Sequence, residues 1–406
     1  MPDHIAYRCR RSFHNQPRPR QPSISSPLSG NPLAVGRLHV DDEPEPRYKQ
    51  AHRPSGRFDV EAHTVDIVLV GVGNLGRRFT RLLADKAAHL KSRYGLEFRL
   101  VGVADSRGVA SDPAGLDSAI IAAIKEQGGS VGEIPGAGSG HGQAIDLVRD
   151  IEADLLCEAS PVNLDAGGEP GLSCIRTALS RGMHVVTPNK GPIVLAYREL
   201  VDLAAAHGAA LRFDGTVAGG LPALYLGMRD LRGATIERVE MVPNVVTGFI
   251  LDLLAKGASR EDALARARES GHLEADPSWD VDGWDATAKL VILANAVLDY
   301  PARLDEVPRE GITAISVESI RRQVDRGKII RLLAVAERTE DGNYALRVGP
   351  EFLPKTHPLG RLGSHELGVV YHTDIYGTIT AIIDEPTPLP SAATMLRDIL
   401  DIYVAK

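Results

Sequence analysis

The sequence predicts an α/β protein in which a doubly wound parallel sheet is followed by a second domain of the α+β type. Strand-like and helical stretches alternate from residue 64 to about residue 215, which is typical of a parallel sheet covered by helices on both faces. A glycine-rich turn joins the first strand to the first helix. Beyond residue 215 several strands follow with helices between them, so a different architecture begins there.

Length and composition limit the class of protein. The 406 residues suffice for two domains, and the net charge of -7 argues against nucleic acid as a partner. Cys9, Cys157 and Cys174 are too far apart to indicate a disulfide framework or a metal site, which favours a reducing, cytoplasmic location. No apolar run has the roughly 18 residues of a membrane span, and the N-terminus lacks a secretory signal.

Residues 1–62 are rich in Pro, Ser and Arg and show no apolar periodicity, so we predict a disordered N-terminal extension. A transit peptide or a misassigned start are alternatives, although a flexible tail is favoured. The predicted domains are then residues 63–215, residues 216–380 and a C-terminal segment, residues 381–406, whose amphipathic helix is expected to pack back on the first domain.

Order begins at "VDIVLVGVGNLGRRFT", where a β-branched strand enters a turn with G-x-G-x-x-G spacing and then a helix. Gly71 permits the tight turn, Gly73 lets the backbone approach a pyrophosphate, and Gly76 lets helix and strand pack closely. The turn therefore predicts a Rossmann-type dinucleotide site with six candidate residues: Gly71, Val72, Gly73, Asn74, Leu75 and Gly76.

The second strand ends in Asp105, Ser106 and Arg107, which are candidates for contacts to the cofactor ribose. Asp105 favours NAD, because a carboxylate there binds the 2′-hydroxyl, whereas Arg107 could bind the 2′-phosphate of NADP. The sequence therefore does not decide between NAD and NADP. A helical and glycine-rich stretch follows.

A later strand runs into "HVVTPNKGP", which puts Asn189 and Lys190 at the carboxyl end of a strand, where ligands of open α/β sheets collect. A partly desolvated lysine there suits proton transfer beside a nicotinamide. An ordinary surface lysine is the alternative.

Strands are predicted in the second domain at "ATIERVEMVPNVVTGFIL", "KIIRLLAVAER", "YALRVGPEFL" and "LGVVYHTDIYGTITAII". Before its largely apolar helix stands "EADPSWDVDGWDATAKL", residues 274–290. Asp285 and Lys289 are four residues apart and share a helix face. They form either an exposed ion pair or, because the helix is apolar, a half-buried site whose nearby acids suit an ammonium-bearing substrate.

These motifs resemble the homoserine dehydrogenase family over roughly residues 65 to 385. The matching segments are "GVGNLG", "VVTPNKGP", "GTVAGGLP" and "LEADPSWDVDGWDATAKLVILA", of which the last is the most specific. The resemblance implies a Rossmann domain joined to a catalytic and dimerisation domain, a homodimer, and interconversion of homoserine and aspartate semialdehyde with NAD or NADP. No ACT-type regulatory domain or fused aspartate kinase is visible, so the chain resembles the short form.

The resemblance also assigns roles to residues. It implies that Lys190 and Lys289 are catalytic, that Asp285 holds Lys289, and that Glu274 and Asp280 bind the amino group of the substrate. It places Asn244 and Thr247 at the substrate and Ser160 and Pro161 beside the nicotinamide. A structural monovalent cation is implied at the backbone carbonyls of Asp214, Val217, Gly219 and Leu221.

Three departures from the family pattern bear on the substrate. Val245 and Val246 replace a glycine and a hydroxyl residue, His272 replaces a tyrosine, and "DEPTPLPSAAT" replaces a glycine-rich loop, keeping only Ser391-Ala392. The leading hypothesis is a homoserine dehydrogenase. A related oxidoreductase for a different hydroxy or aldehyde substrate and a non-catalytic dinucleotide-binding protein are the alternatives.

Overall fold

The computed structural model describes residues 63–269 and 277–404, which form two β-sheets and the helices around them. The predicted extension of residues 1–62 lies outside the described residues, as do Glu274 and His272. Within the two described ranges, no helix is both long enough and apolar enough to cross a membrane.

The strands are β1 (His63–Val70), β2 (Leu96–Asp105), β3 (Gly108–Leu116), β4 (Gly138–Ser139), β5 (Leu155–Glu158), β6 (His184–Val186), β7 (Leu211–Arg212), β8 (Ile236–Val242), β9 (Lys328–Arg338), β10 (Tyr344–Pro354), β11 (Glu366–Thr373) and β12 (Gly377–Asp384). The α-helices are α1 (Asn74–Tyr94), α2 (Ser118–Glu126), α3 (Ala144–Asp150), α4 (Gly171–Ser180), α5 (Lys190–Ala206), α6 (Ala223–Tyr225), α7 (Val245–Ala255), α8 (Arg260–Glu269), α9 (Ser278–Val281), α10 (Trp284–Val297), α11 (Val317–Asp325) and α12 (Leu389–Tyr403).

The first sheet has the strand order β4-β3-β2-β1-β5-β6-β7. The five strands β1, β2, β5, β6 and β7 pair in parallel, which confirms the predicted Rossmann-type sheet. The carboxyl ends of β1, β5 and β6 meet at one edge, so the loops that follow them lie together there.

Sequence reasoning missed the antiparallel strand β3, because the helix predicted after β2 begins only at Ser118. β3 pairs with β2, for example Ala110 with Val103, although it contains Pro113 and Gly115, which are poor strand formers. Pairing with a neighbouring strand thus outweighs local propensity here, as tertiary contacts often do in sheets.

The second sheet is antiparallel with the order β10-β9-β8-β11-β12, and it confirms the predicted α+β pattern. The long strand predicted at residues 234–251 is wrong in its second half, because β8 ends at Val242 and α7 begins at Val245. Asn244 caps that helix by accepting a hydrogen bond from the N–H of Thr247, at 3.2 Å. This capping hydrogen bond outweighs the preference of Val245 and Val246 for a strand.

Two helices join the sheets. Strand β12 runs to Asp384, a few residues beyond residue 380, where the C-terminal segment was predicted to begin. Helix α12 follows this strand, and its Met395 and Ile399 are buried in the core of the first sheet. Helix α10 is buried along most of its length and contacts both α5 and strand β9. It therefore carries contacts from the second sheet to the first domain.

Leu290→Ala tests the weight of α10 in this core. Leu290 is fully buried, so we expect the free energy of unfolding to fall by about 2–5 kcal/mol. Leu195→Ala is the matched control, because Leu195 is 46% exposed on α5 and its loss should change little. Thermal and denaturant unfolding of both variants measure the difference, and equal effects would contradict the central position of α10.

Candidate active site

The glycine turn after β1 has the geometry that a dinucleotide requires. Gly71 has a φ of 92°, and a Cβ on it would lie 2.3 Å from the backbone of Ala159 and Ser160. A Cβ on Gly76 would lie 2.1 Å from the carbonyl oxygen of Gly71, whereas a Cβ on Gly73 would meet nothing within 4 Å. The turn thus packs tightly on one side and is open on the other, beside the N-terminus of α1, so it fits a pyrophosphate.

The carboxylate of Asp105, predicted to meet the ribose, is buried and already bonded. It accepts hydrogen bonds from Lys125 Nζ at 2.6 Å, Ser130 Oγ at 2.9 Å, and the N–H groups of Val131 and Arg107 at 3.0 and 2.8 Å. Burial raises the pKa of Asp105, but these donors outweigh burial and hold the pKa below its usual value. A ribose hydroxyl would have to share its oxygens, so the role of Asp105 at the cofactor stays a prediction.

The two predicted catalytic lysines meet on one carboxylate. Lys190 Nζ lies 3.0 Å from Asp285 Oδ1, and Lys289 Nζ lies 2.9 Å from Asp285 Oδ2. Lys190 is the first residue of α5, and Asp285 and Lys289 lie in the first turns of α10. Lys289 Nζ also donates to the carbonyl oxygen of Pro243 at 2.6 Å, which fixes its direction. The pairing of Asp285 with Lys190 adds to the predicted pairing with Lys289.

Asn244 links this carboxylate to a second acid. Its Nδ2 donates to Asp280 Oδ1 and to Asp285 Oδ2, both at 2.7 Å. Its Oδ1 accepts from the N–H of Thr247, so the orientation of the amide is determined by both sides. Thr247 Oγ in turn donates to the backbone carbonyl of Asn244 at 3.2 Å. Thr247 therefore supports the cap, and its predicted contact with the substrate stays a prediction.

The two acids have opposite electrostatic surroundings. Burial alone would raise the pKa of Asp285, but the charges of Lys289 and Lys190 outweigh it and hold that pKa far below its usual range. Burial, reinforced by the charge of Asp285, raises the pKa of Asp280. Asp285 is therefore a permanent anion, whereas Asp280 gains a proton more readily.

An aromatic stack holds the loop that carries these acids. The rings of Trp279 and Trp284 are stacked with centroids 6.0 Å apart, and the Arg309 guanidinium lies 3.3 Å from the centroid of the Trp284 ring. Gly283 between them has a φ of 82°, a conformation that glycine adopts without strain. The stack places Asp285 at the start of α10.

A buried acid that sequence reasoning missed lies at the end of β5. Glu158 accepts from the N–H of Ser160 at 2.8 Å, from Ser160 Oγ, and from Thr187 Oγ at 3.1 Å. Asn189 donates to both hydroxyls, from its N–H to Thr187 Oγ and from Nδ2 to Ser160 Oγ. Glu158 thereby joins the loop of Ser160 and Pro161 to the loop of Lys190. An acid ending an apolar strand was the signal that could have found it.

Three of the four carbonyls predicted to bind a monovalent cation accept hydrogen bonds. Of the four carbonyls, those of Asp214, Gly219 and Leu221 accept hydrogen bonds from Val217 N–H, Thr394 Oγ and Ala223 N–H respectively. Arg397 on α12 donates to the carbonyl of Gly220 at 3.2 Å and to the carboxylate of Asp214. A carbonyl oxygen that accepts one hydrogen bond keeps a second lone pair, so the monovalent cation stays a prediction.

The class that fold and site define is a dinucleotide-binding protein with a Rossmann-type domain, an antiparallel second sheet and a lysine–carboxylate site between the two. Family models agree with this class: "Homoserine dehydrogenase, NAD binding domain" matches residues 71–214 and "Homoserine dehydrogenase" matches residues 222–400. The chain belongs to the homoserine dehydrogenase family, whose members are NAD(P)-dependent oxidoreductases acting on CH–OH groups. The resemblance read from the sequence is thus confirmed.

Relatives span most of the chain. A homoserine dehydrogenase of Methanocaldococcus jannaschii is 33% identical over 84% of this chain and 98% of its own length. An NAD(+)-dependent homoserine dehydrogenase of Pseudomonas canavaninivorans is 33% identical over 83% of this chain and 96% of its own. Among solved structures, a hyperthermophilic archaeal homoserine dehydrogenase in complex with NADPH has a TM-score of 0.73 at 27% identity, covering 85% of this chain and 99% of that one. The Thermoplasma acidophilum enzyme has a TM-score of 0.71 at 27% identity, covering 84% and 99%.

Gly73→Ala and Gly76→Ala form a matched pair that tests the dinucleotide turn. Gly73→Ala should leave the melting temperature near that of the wild type but weaken cofactor binding about tenfold or more, because its methyl group would face the open side. Gly76→Ala should lower both the melting temperature and the affinity for the cofactor, because its Cβ would overlap the carbonyl of Gly71. Fluorescence titration with NADH and NADPH, together with thermal unfolding, gives both quantities. Unchanged affinity in Gly73→Ala would place the pyrophosphate elsewhere.

Proposed function

We propose that this protein is an NAD(P)-dependent homoserine dehydrogenase that interconverts L-homoserine and L-aspartate 4-semialdehyde by hydride transfer. The observation that carries the proposal is the pair of ammonium groups, Lys190 and Lys289, each held within 3.0 Å of the buried carboxylate of Asp285. The two ammonium groups share one carboxylate, so a positive group can face the substrate oxygen. That positive group suits an oxygen that becomes negative as hydride leaves its carbon.

The bound nicotinamide would accept or supply the hydride at the carbon that carries the hydroxyl group. In the reduction direction, one ammonium group would donate a proton to the oxygen and become a neutral amine, and in the oxidation direction that amine would take the hydroxyl proton. The ammonium group of the other lysine stabilises the negative charge that develops on the oxygen. Within residues 63–269 and 277–404, Lys289 directs two of its three N–H bonds at Asp285 and the Pro243 carbonyl, and Lys190 directs one at Asp285. The other N–H bonds of the two lysines are proposed to face the substrate oxygen. Asp285 sets the direction of both.

The amino group of the substrate is proposed to bind Asp280, with Glu274 as the second acid predicted from the sequence. Asp280 is held by Asn244, which also bonds to Asp285, so the ammonium site and the lysine site share one amide. A fixed spacing between them would select a substrate with its amino group a set distance from its hydroxyl group.

We propose NADP and NAD as the candidate cofactors, bound at the residues predicted from residue 71 to 76, at residues 105 to 107, and at Ser160, Pro161 and Lys190. The positive groups at the end of β2 support recognition of a 2′-phosphate: Lys125 is bonded to Asp105, and Arg107 lies two residues on. The solved relative with NADPH and the NAD(+)-dependent relative support testing both.

A cytoplasmic homodimer is the proposed form of the protein. The second sheet ends in β12, an edge strand, and Ile375, Tyr376 and Ile382 on or next to it are exposed apolar residues. Such an edge favours pairing with another chain. A monovalent cation at residues 214 to 221 stays a prediction, and no step of the proposed reaction uses one.

A different hydroxy or aldehyde substrate is the second candidate, and Val245 and Val246 favour it. Both are half-buried directly after Asn244, which bonds to the proposed ammonium ligand Asp280, and both pack against the hydrophobic core. Purified protein should be assayed with homoserine, with aspartate semialdehyde and with a panel of bulkier hydroxy acids, each with both cofactors. Turnover of homoserine supports the first function, turnover of the panel alone supports the second, and cofactor binding without turnover would leave a dinucleotide-binding protein.

Lys289→Ala should lower kcat by about two to four orders of magnitude, because it removes a charge and a proton path at the reacting oxygen. The affinity for NADPH and NADH should stay near the wild-type value. Lys91→Ala is the control, because Lys91 forms an exposed ion pair with Glu97 far from the site. Steady-state kinetics and cofactor titration give both quantities, and an active Lys289→Ala variant would refute the role.

The raised pKa of Asp280 predicts that substrate binding depends on pH. Its pKa is raised, so it is ionised only above that raised value and becomes neutral as the pH falls through it. As the pH is lowered, the KM for homoserine should therefore begin to rise at a higher pH than it would if Asp280 had the usual pKa of an aspartate. Asp280→Asn should have a high KM that no longer depends on this titration, while Asp341→Asn, in an exposed turn, should behave as the wild type. Parallel KM–pH profiles in Asp280→Asn and the wild type would argue against the role.

A further inference from the structure

We propose that Arg309 is a positioning residue of the active site, which fixes the turn between α9 and α10 and thereby sets the place of Asp280, the proposed ligand of the substrate's ammonium group. The inference rests on the proposed function, since that function gives Asp280 its role. One of the two experiments below needs no turnover, so a failure of the inference is distinguishable from a failure of the proposed function.

The turn that carries Asp280 has little support of its own. Asp280 lies on α9, a helix of four residues, and Asp282 and Gly283 separate this helix from α10. A single helical turn is not stable alone, because fixing its backbone costs more than its few hydrogen bonds return. Two lysines and Asn244 hold Asp285. Within the residues that the structure describes, the carboxylate of Asp280 accepts a side-chain hydrogen bond from Asn244 only.

Arg309 contacts this turn in three ways. Its Nε–H donates to the carbonyl oxygen of Asp282 at 2.8 Å. Its guanidinium carbon lies 3.3 Å from the centroid of the Trp284 ring, a distance at which the ring face attracts the cation. Its methylene stem lies against Gly283, where a Cβ would be 3.2 Å from Arg309 Cγ. One side chain therefore contacts the three consecutive residues that lead from α9 into α10.

The segment that begins at Arg309 is itself anchored to the second sheet. Arg309 forms a parallel bridge with Val348 of β10, and the carbonyl oxygen of Val348 accepts a hydrogen bond from the N–H of Glu310 at 2.9 Å. A few residues on, the N–H of Ile312 donates to the carbonyl oxygen of Val281 at 2.8 Å. The position of α9 therefore follows from that of β10 through this short segment.

Loss of the Arg309 guanidinium should affect the two acids of the site unequally. Asp285 keeps both lysines and Asn244, so the lysine cluster and kcat should change little. Asp280 keeps only its bond to Asn244, so the ammonium group of the substrate should bind less well and KM should rise. A merely structural role would instead lower the fraction of folded enzyme, which lowers kcat at an unchanged KM.

Arg309→Met tests the inference, because methionine keeps the apolar stem but removes the guanidinium. The KM for homoserine should rise about tenfold, while kcat should fall less than about threefold and the Kd of NADPH should change less than about twofold. Arg309→Lys should give an intermediate KM, since lysine keeps the charge but lacks the planar group that stacks on Trp284.

Arg303→Met is the matched control, because it removes the same charge six residues earlier, from an exposed ion pair with Asp305. Its KM and kcat should equal those of the wild type. Steady-state kinetics and cofactor titration measure the three quantities. Equal KM values in Arg309→Met and Arg303→Met would overturn the inference.

Hydrogen–deuterium exchange is the experiment that needs no turnover. The N–H groups of Asp282 and Gly283 are bonded to carbonyl oxygens of α9 at 2.9 and 3.0 Å, so they are protected only while this turn is held. They should exchange about tenfold faster in Arg309→Met than in Arg303→Met. The amides in the buried middle of α10 should exchange equally in both variants, because the change is confined to the turn.

Equal exchange at the turn in the two variants would overturn the inference, and so would faster exchange throughout α10, which would indicate general destabilisation. If the wild type does not oxidise homoserine, the proposed function fails, and exchange at the turn still decides whether Arg309 holds it. If Arg309→Met does not fold, Arg309→Lys takes its place in both experiments. Wild-type KM and wild-type exchange in Arg309→Lys would then overturn the inference.

Discussion

The carboxylate of Asp285 is the interaction on which the site depends. It is buried at the start of α10 and binds one lysine from its own helix and one from the first residue of α5. A buried carboxylate without partners would be costly, and so would two adjacent ammonium groups without an anion between them. Each charge is therefore tolerable only because the others are present. The two domains must meet in one arrangement for this cluster to exist.

The surroundings of Asp285 reinforce that arrangement through small sets of hydrogen bonds. Asn244 caps α7 with its oxygen and holds both Asp280 and Asp285 with its nitrogen, so the helix and the acids are fixed by a single side chain. On the other side of the site, Glu158 gathers the loops after β5 and β6. Both side chains are polar, buried and fully engaged, which makes the geometry of the site rigid.

Features encoded within a few residues could be predicted from the sequence. The turn at Gly71 and the Asp285–Lys289 pair follow from local spacing, and the position of Lys190 follows from the strand before it. The pairing of Lys190 with Asp285 joins residues far apart in sequence, and no local pattern contains it. The same holds for the bond between Lys125 and Asp105, which occupies the predicted ribose ligand. Strand β3 and helix α7 were missed because pairing and a capping bond outweighed the local preferences of their residues.

The return of α12 to the first sheet means that the first domain is discontinuous in sequence. Its core includes Val65 near the beginning of the described chain and Ile399 near the end, with the whole second sheet encoded between them. During synthesis, the hydrophobic core of the first sheet is therefore complete only after α12 has been made. The ribosome must make the whole second sheet before this buried surface is covered, so folding of the first domain is coupled to synthesis of a segment more than 300 residues downstream of β1.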